Sequence, residues 1–271
     1  MPPDRILTLG GYFSIGVLMR LKNLPIIGTI LVSLLAGCAG PETSTQTQDG
    51  YGRLMTEMGG ELELASWLGG QTPEQAQSFL QGYGLELVIH EGGVSAQAAT
   101  GCPVFFEASE RNKWHYISSG YYYIDAPGRP RSAYRYLPPV QSAPRDNPCQ
   151  STVGNLVEGN YDAGHLVGSQ LGGYGSRANL APQDANFNRG NWLAMENQVA
   201  RCTGLEPGAL TYLARVTYPD ASTTLPSQFT IELKIGAEQI SRSFENVPYG
   251  GSNGTTYRKE VTAWLAAHGC P

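Results

Sequence analysis

Hydrophobic and polar positions alternate with different periods along the chain, and each period predicts its own element. A largely apolar stretch, Leu24 to Leu34, follows Arg20 and Lys22 and leads into the small residues Ala36 and Gly37. It is too short to span a bilayer comfortably, and its basic start and small-residue end are those of a cleaved export signal over residues 1–37. Residues 38–51 are small and polar and read as a tether. Helical spacing appears in TPEQAQSFLQGYG, where Thr72 is the N-cap, Pro73 opens the first turn and Gln75 closes a capping box. It recurs in NRGNWLAMENQVARC, with Trp192, Met195 and Val199 on one face, and in TTYRKEVTAWLAAHGC, stopped by Gly269. The segments WHYISSGYYYID and ALTYLARVTYP are aromatic and β-branched, as strands are, and QFTIELKIGAEQISRSF reads as a hairpin about Gly236-Ala237. Strands interrupted by isolated helices predict an α+β fold.

Charge refines this division. The 271 residues carry a formal net charge of −5, which argues against a polyanionic partner. The acidity is concentrated in residues 39–100, however, where Arg53 stands alone among many carboxylates, while residues 101–205 are nearly neutral. The objection therefore applies to an acidic segment of unknown role, residues 52–100, and far less to a domain over residues 101–271. The tyrosine run at 121–123 reads as packing rather than as a stacking platform.

Beyond Cys38, four cysteines remain: Cys102, Cys149, Cys202 and Cys270. An even number in an exported chain implies disulfides, and the absence of a C-x-x-C spacing argues against structural zinc. Three pairings are open, of which Cys102–Cys149 with Cys202–Cys270 is favoured.

Chemistry concentrates around one histidine. In YDAGHLVGSQLGG, His165 sits on an apolar strand after Gly164; NLAP then reads as a returning strand, and a helix opens near Gly190. A lone histidine after a glycine is usually structural, and His90, His115 and His268 read so. Here the motif D-x-G-H-L…G-G…N-L-x-P-Q…N-x-G…E runs through Asp162, Gly164, His165, Leu166, Gly172, Gly173, Asn179, Leu180, Pro182, Gln183, Asn188, Gly190 and Glu196. This order resembles the ββα-metal motif of the DNA/RNA non-specific endonucleases, in the branch of bacterial secreted and toxin-type nucleases. The resemblance implies a ββα-metal core with an antiparallel sheet and flanking helices. It implies phosphodiester hydrolysis of DNA and RNA with little sequence preference. It casts His165 as general base and Asn188 as the protein ligand of a hydrated Mg²⁺, for which Mn²⁺ can substitute. Glu196, eight residues on, would act through a bound water, and Asn179 would orient the site.

The chain departs from the better-known members at Ala163, where they carry an arginine that holds phosphate. Arg189, Arg177 and Arg129 are the candidates to replace it. The tetrapeptide Leu35-Ala36-Gly37-Cys38 resembles a lipoprotein box, which implies lipidation of Cys38 and anchoring at the outer membrane or cell surface. Two rival readings share the motif: a catalytically retired, nucleic-acid-binding surface lipoprotein, and an antibacterial toxin partnered by an immunity protein.

Overall fold

The computed structural model describes residues 45–90, 102, 107–137, 142–202, 205–206 and 208–270. The stretch read as an export signal, residues 1–37, and Cys38 lie outside these residues. Three helices come first: α1 (Thr45–Met58), α2 (Glu61–Gly69) and α3 (Pro73–Gln81). Helix α1 begins inside the stretch read as tether. Helix α3 carries the predicted capping box: Thr72 accepts from the Gln75 amide at 3.3 Å and Gln75 accepts from the Thr72 amide at 2.9 Å.

Seven strands form one sheet in the order β1-β2-β3-β4-β7-β8-β9, namely Leu87–Ile89, Lys113–Ile117, Gly120–Ile124, Pro130–Leu137, Leu210–Thr217, Gln228–Ile235 and Glu238–Glu245. β1 pairs parallel with β2 and every other pairing is antiparallel. The predicted hairpin is β8–β9, which aligns Ile235 with Glu238.

Both faces of the central strands are buried, and side chains alternate between two cores. Tyr121, Tyr123, Tyr134, Trp114 and Leu213 face α1–α3, whereas Tyr122, Ile124, Ala133, Tyr212 and Ala214 face the opposite layer. The tyrosine run is therefore packing, as its composition suggests. The described part of the acidic segment, residues 52–90, does not stand apart from the sheet. Leu54, Leu64, Leu68 and Leu80 line the same core as Trp114 and Tyr134, and the described residues form one compact body. Its apolar stripe explains this: a helix with a leucine face must bury it, and the sheet supplies the partner.

The opposite layer carries the motif. Strands β5 (Tyr161–His165) and β6 (Leu180–Asp184) form a separate antiparallel pair in which His165 lies opposite Leu180. Helix α4 (Asn147–Gly154) precedes them. A short helix α5 (Ala185–Phe187), a π-turn (Asn188–Trp192) and α6 (Leu193–Val199) follow, and α7 (Gly254–Ala267) closes the layer. Phe187, Trp192 and Met195 anchor this layer against Phe229 and Phe244 of the sheet. Disulfides join Cys102 to Cys149 and Cys202 to Cys270, the favoured pairing. Among the described residues no helix is long and apolar enough to cross a membrane.

Candidate active site

β5 and β6 position His165 by close backbone contact. A Cβ on Gly164 would lie 2.1 Å from Gln183 Oε1, so only glycine lets the two strands meet there. The turn after His165 is held by Asn179. Its Oδ1 accepts from the Val167 amide at 2.9 Å, and its Nδ2 donates to the carbonyls of Val167 at 2.7 Å and Tyr174 at 2.8 Å. A Cβ on Gly173 would meet the Val167 oxygen at 1.9 Å, which accounts for the second glycine of the motif's pair. From the helix side, Trp192 Nε1 donates to the His165 carbonyl at 3.1 Å.

The motif opens into a cleft of about 500 Å³ lined by Asp162, His165, Asn188, Arg189, Glu196 and Arg145, among others. His165 is nearly buried, and its Nε2 has no hydrogen-bond partner. Burial, reinforced by the Arg145 charge, lowers its pKa to about 4. The ring is thus neutral at ordinary pH, the protonation state a base requires.

Asn188 donates through Nδ2 to Asp162 Oδ2 at 2.9 Å, which leaves its amide oxygen as the remaining acceptor. Arg189 pairs with the same carboxylate, at 2.8 Å from Nε and 2.5 Å from a terminal nitrogen.

Glu196 is buried, and burial pushes its pKa up to about 8 against hydrogen bonds from Gln170 and the Gly168 backbone and the charge of Arg145. Its Oε1 has no partner. In a regular α-helix, residues eight apart diverge in direction. The π-turn adds roughly one residue to its turn, so one wide and one ordinary turn together bring Asn188 and Glu196 onto nearly the same row. Both line the cleft accordingly.

The remaining predicted residues sit elsewhere. Asn179 is fully buried behind the site and acts on the backbone, in keeping with an orienting role. Arg177 is buried and donates to Glu110 at 2.9 Å. Arg129 is buried against Asp125 at 2.7 Å, donates to the Asp220 and Thr223 carbonyls, and stacks 3.9 Å from the Tyr218 ring centroid. Neither lines the cleft, so neither is placed to contact substrate; both are held by partners distant in sequence or by a turn that composition does not reveal. Arg145 and Asp162 do line it. Arg145 lies outside the motif and carries no sequence signal, whereas Asp162 is a motif letter to which the resemblance gives no role. The other histidines have partners too. His90 and His115 share a 3.0 Å hydrogen bond, and His268 bonds Glu238 at 3.1 Å.

Residues 111–237 match the DNA/RNA non-specific endonuclease family. This segment is a DNA/RNA non-specific endonuclease domain. The match ends before β9 and α7, although both complete the core under the endonuclease site. Among solved structures, the chain is similar to NucA from Streptococcus agalactiae with magnesium bound, at 21% identity and a TM-score of 0.39. It is similar also to the same protein with no metal bound, at 19% and 0.36. Each comparison covers 47% of this chain and 70% of that one. No curated protein matches.

Proposed function

We propose that this endonuclease is an exported, lipid-anchored enzyme that hydrolyses DNA and RNA with Mg²⁺ and little sequence preference. The observation that carries the reading is the cleft itself: a neutral histidine with an unpartnered Nε2 faces the same space as Asn188 and Glu196. Among the described residues no group of three or more His, Cys, Asp or Glu side chains could hold a metal, which disfavours a softer, multiply ligated ion. The donors present are oxygens, the Asn188 amide oxygen and the unpartnered Glu196 Oε1, and these fit a hard cation that keeps most of its water. Mg²⁺, when bound, supplies positive charge to the leaving oxygen.

The protein's own residues do the rest. His165 takes the proton of the attacking water at a ring nitrogen, and Trp192 and the β5–β6 pairing hold its backbone in place. Asp162 turns the Asn188 amide so that its oxygen, not its nitrogen, is offered. Backbone phosphates are the natural contacts of so polar a cleft, and they carry no sequence information.

Two disulfides support work in an oxidising compartment, outside the cytoplasm. The lipid at Cys38 is tested by labelling cells that express the full chain with a tagged fatty acid. The label should enter the wild-type protein and be lost in Cys38→Ala; equal labelling of both would remove the anchor. Nuclease activity is tested by plasmid cleavage in Mg²⁺ and in EDTA.

A further inference from the structure

The cleft is lined by two arginines of opposite electrostatic status. Arg189 is exposed but forms a bidentate pair with Asp162, so much of its charge is already answered within the protein. Arg145 spends only its Nε, on Ser169 Oγ at 3.1 Å. Among the described residues no carboxylate pairs with it and no hydrogen bond engages its terminal nitrogens. β5, in the middle of the cleft, carries Ala163 and brings no cation of its own.

Arg145 is also rigidly mounted. The Ala143 amide donates to the Ser169 carbonyl at 2.8 Å, and the Asp146 amide to that of Gly175 at 3.2 Å. Asp146 accepts from the Cys149 amide at 3.0 Å and from Ser176 Oγ at 2.9 Å, and Cys149 is itself tied to Cys102. A Cβ on Gly175 would fall 2.0 Å from the Pro144 oxygen, so the motif's loop is packed directly onto this segment. Arg145 lines the same cleft as His165 and Glu196. A fixed guanidinium with two unused terminal nitrogens matches a phosphate, which accepts two parallel N–H bonds.

We infer that Arg145 holds the phosphate that is cleaved, and that Arg189 does not. This rests on the nuclease reading, with Arg145 acting directly on substrate. Charge on the phosphate oxygens is greatest during displacement, so the contact serves kcat more than KM.

The test uses the full chain as wild type, Arg145→Ala, Arg145→Lys and Arg189→Ala, with thermal melting of each. Cleavage of a defined DNA duplex in Mg²⁺ is measured beside duplex binding in EDTA over a salt series. Arg145→Ala should lower kcat by about 100-fold with little change in melting or KM. Arg145→Lys should recover part of that loss, and Arg189→Ala, whose charge is already paired, should lower kcat less than Arg145→Ala does. In EDTA, Arg145→Ala should reduce the slope of log affinity against log salt by about 0.9, one phosphate contact. The inference is overturned if Arg145→Ala leaves both kcat and salt slope unchanged, if the loss is confined to KM, or if Arg189→Ala carries the larger defect. A wild type that binds but does not cleave would contradict the nuclease reading instead, and the salt slope would still decide the arginine.

Discussion

Asp162 and Asn188 are joined by a 2.9 Å hydrogen bond from the asparagine amide nitrogen to the carboxylate. The bond decides which end of the amide faces the cleft, and it lies on a motif whose aspartate has no direct contact with His165. Asp162→Ala should therefore weaken Mg²⁺ activation by about 10- to 100-fold, the usual cost of losing a partner that orients a metal ligand. Titrating cleavage with Mg²⁺ measures it. A half-maximal Mg²⁺ concentration equal to that of wild type would show that Asn188 needs no such hold.

As the proposed general base, the buried histidine should set the acid side of the rate profile. The pKa of His165 is lowered to about 4 by burial and the Arg145 charge. The acid limb of kcat/KM should accordingly fall near pH 4 and not near the ordinary 6.5, since this ratio reports the free enzyme. A limb centred at pH 6.5 would mean that the ring is solvated in the working protein.

Stability should follow the same groups with opposite signs. His165 and His115 both have pKa values near 4 in the folded chain, against an ordinary 6.5. Between these values the unfolded chain binds protons that the native one does not, so each contributes stability that grows with pH. Glu196 behaves in reverse: its pKa is near 8 instead of 4.5, so the native state holds an extra proton and stability declines as pH rises through that window. Two rising terms and one falling term give a maximum near pH 6.5 in metal-free buffer, with slopes on the order of 1.4 kcal/mol per pH unit on either side. Denaturant unfolding from pH 4.5 to 8 checks the profile. Glu196→Gln should flatten the alkaline side; an unchanged decline in that variant would assign it elsewhere.

The disulfides close loops of 47 and 68 residues. Loops of that length are worth about 4 kcal/mol each in the chain-entropy account. Reduction should therefore lower the melting temperature sharply. Cys202→Ala with Cys270→Ala should do so without abolishing cleavage, because that bridge ties α6 to the C-terminal end and leaves the cleft residues in place.

The N-terminal helices are the largest departure from expectation. Composition separates residues 52–100 by charge, and charge describes the solvent face of a helix. The leucines on the opposite face belong to the sheet, which composition does not reveal. A fragment starting at residue 101 would expose Trp114, Tyr121 and Tyr134. It should aggregate or melt well below the 45–271 fragment, and equal melting of the two would restore the separate-domain reading.

Local features were legible for a physical reason. The capping box of α3, the β8–β9 turn and the β5–β6 pair are written in neighbouring residues, and each formed where the pattern placed it. The disulfide partners also emerged, although three pairings were open. The site was legible only in part. His165, Asn188 and Glu196 line one cleft, but the alignment of the last two depends on a π-turn that hydrophobic spacing does not announce. Arg129 and Arg177 carry the right charge and lie in the wrong place, because their carboxylate and carbonyl partners are set by tertiary packing. Arg145 reaches the cleft from a loop before α4, beyond the reach of any spacing rule.

The most direct measurement is plasmid cleavage by the wild type and by His165→Ala, each in Mg²⁺ and in EDTA, with melting curves to show that both are folded. The wild type should cleave in Mg²⁺ and fall silent in EDTA, and His165→Ala should be slower by about 10² to 10⁴, the span of a lost general base. A folded His165→Ala protein that nicks plasmid at the wild-type rate would contradict the account.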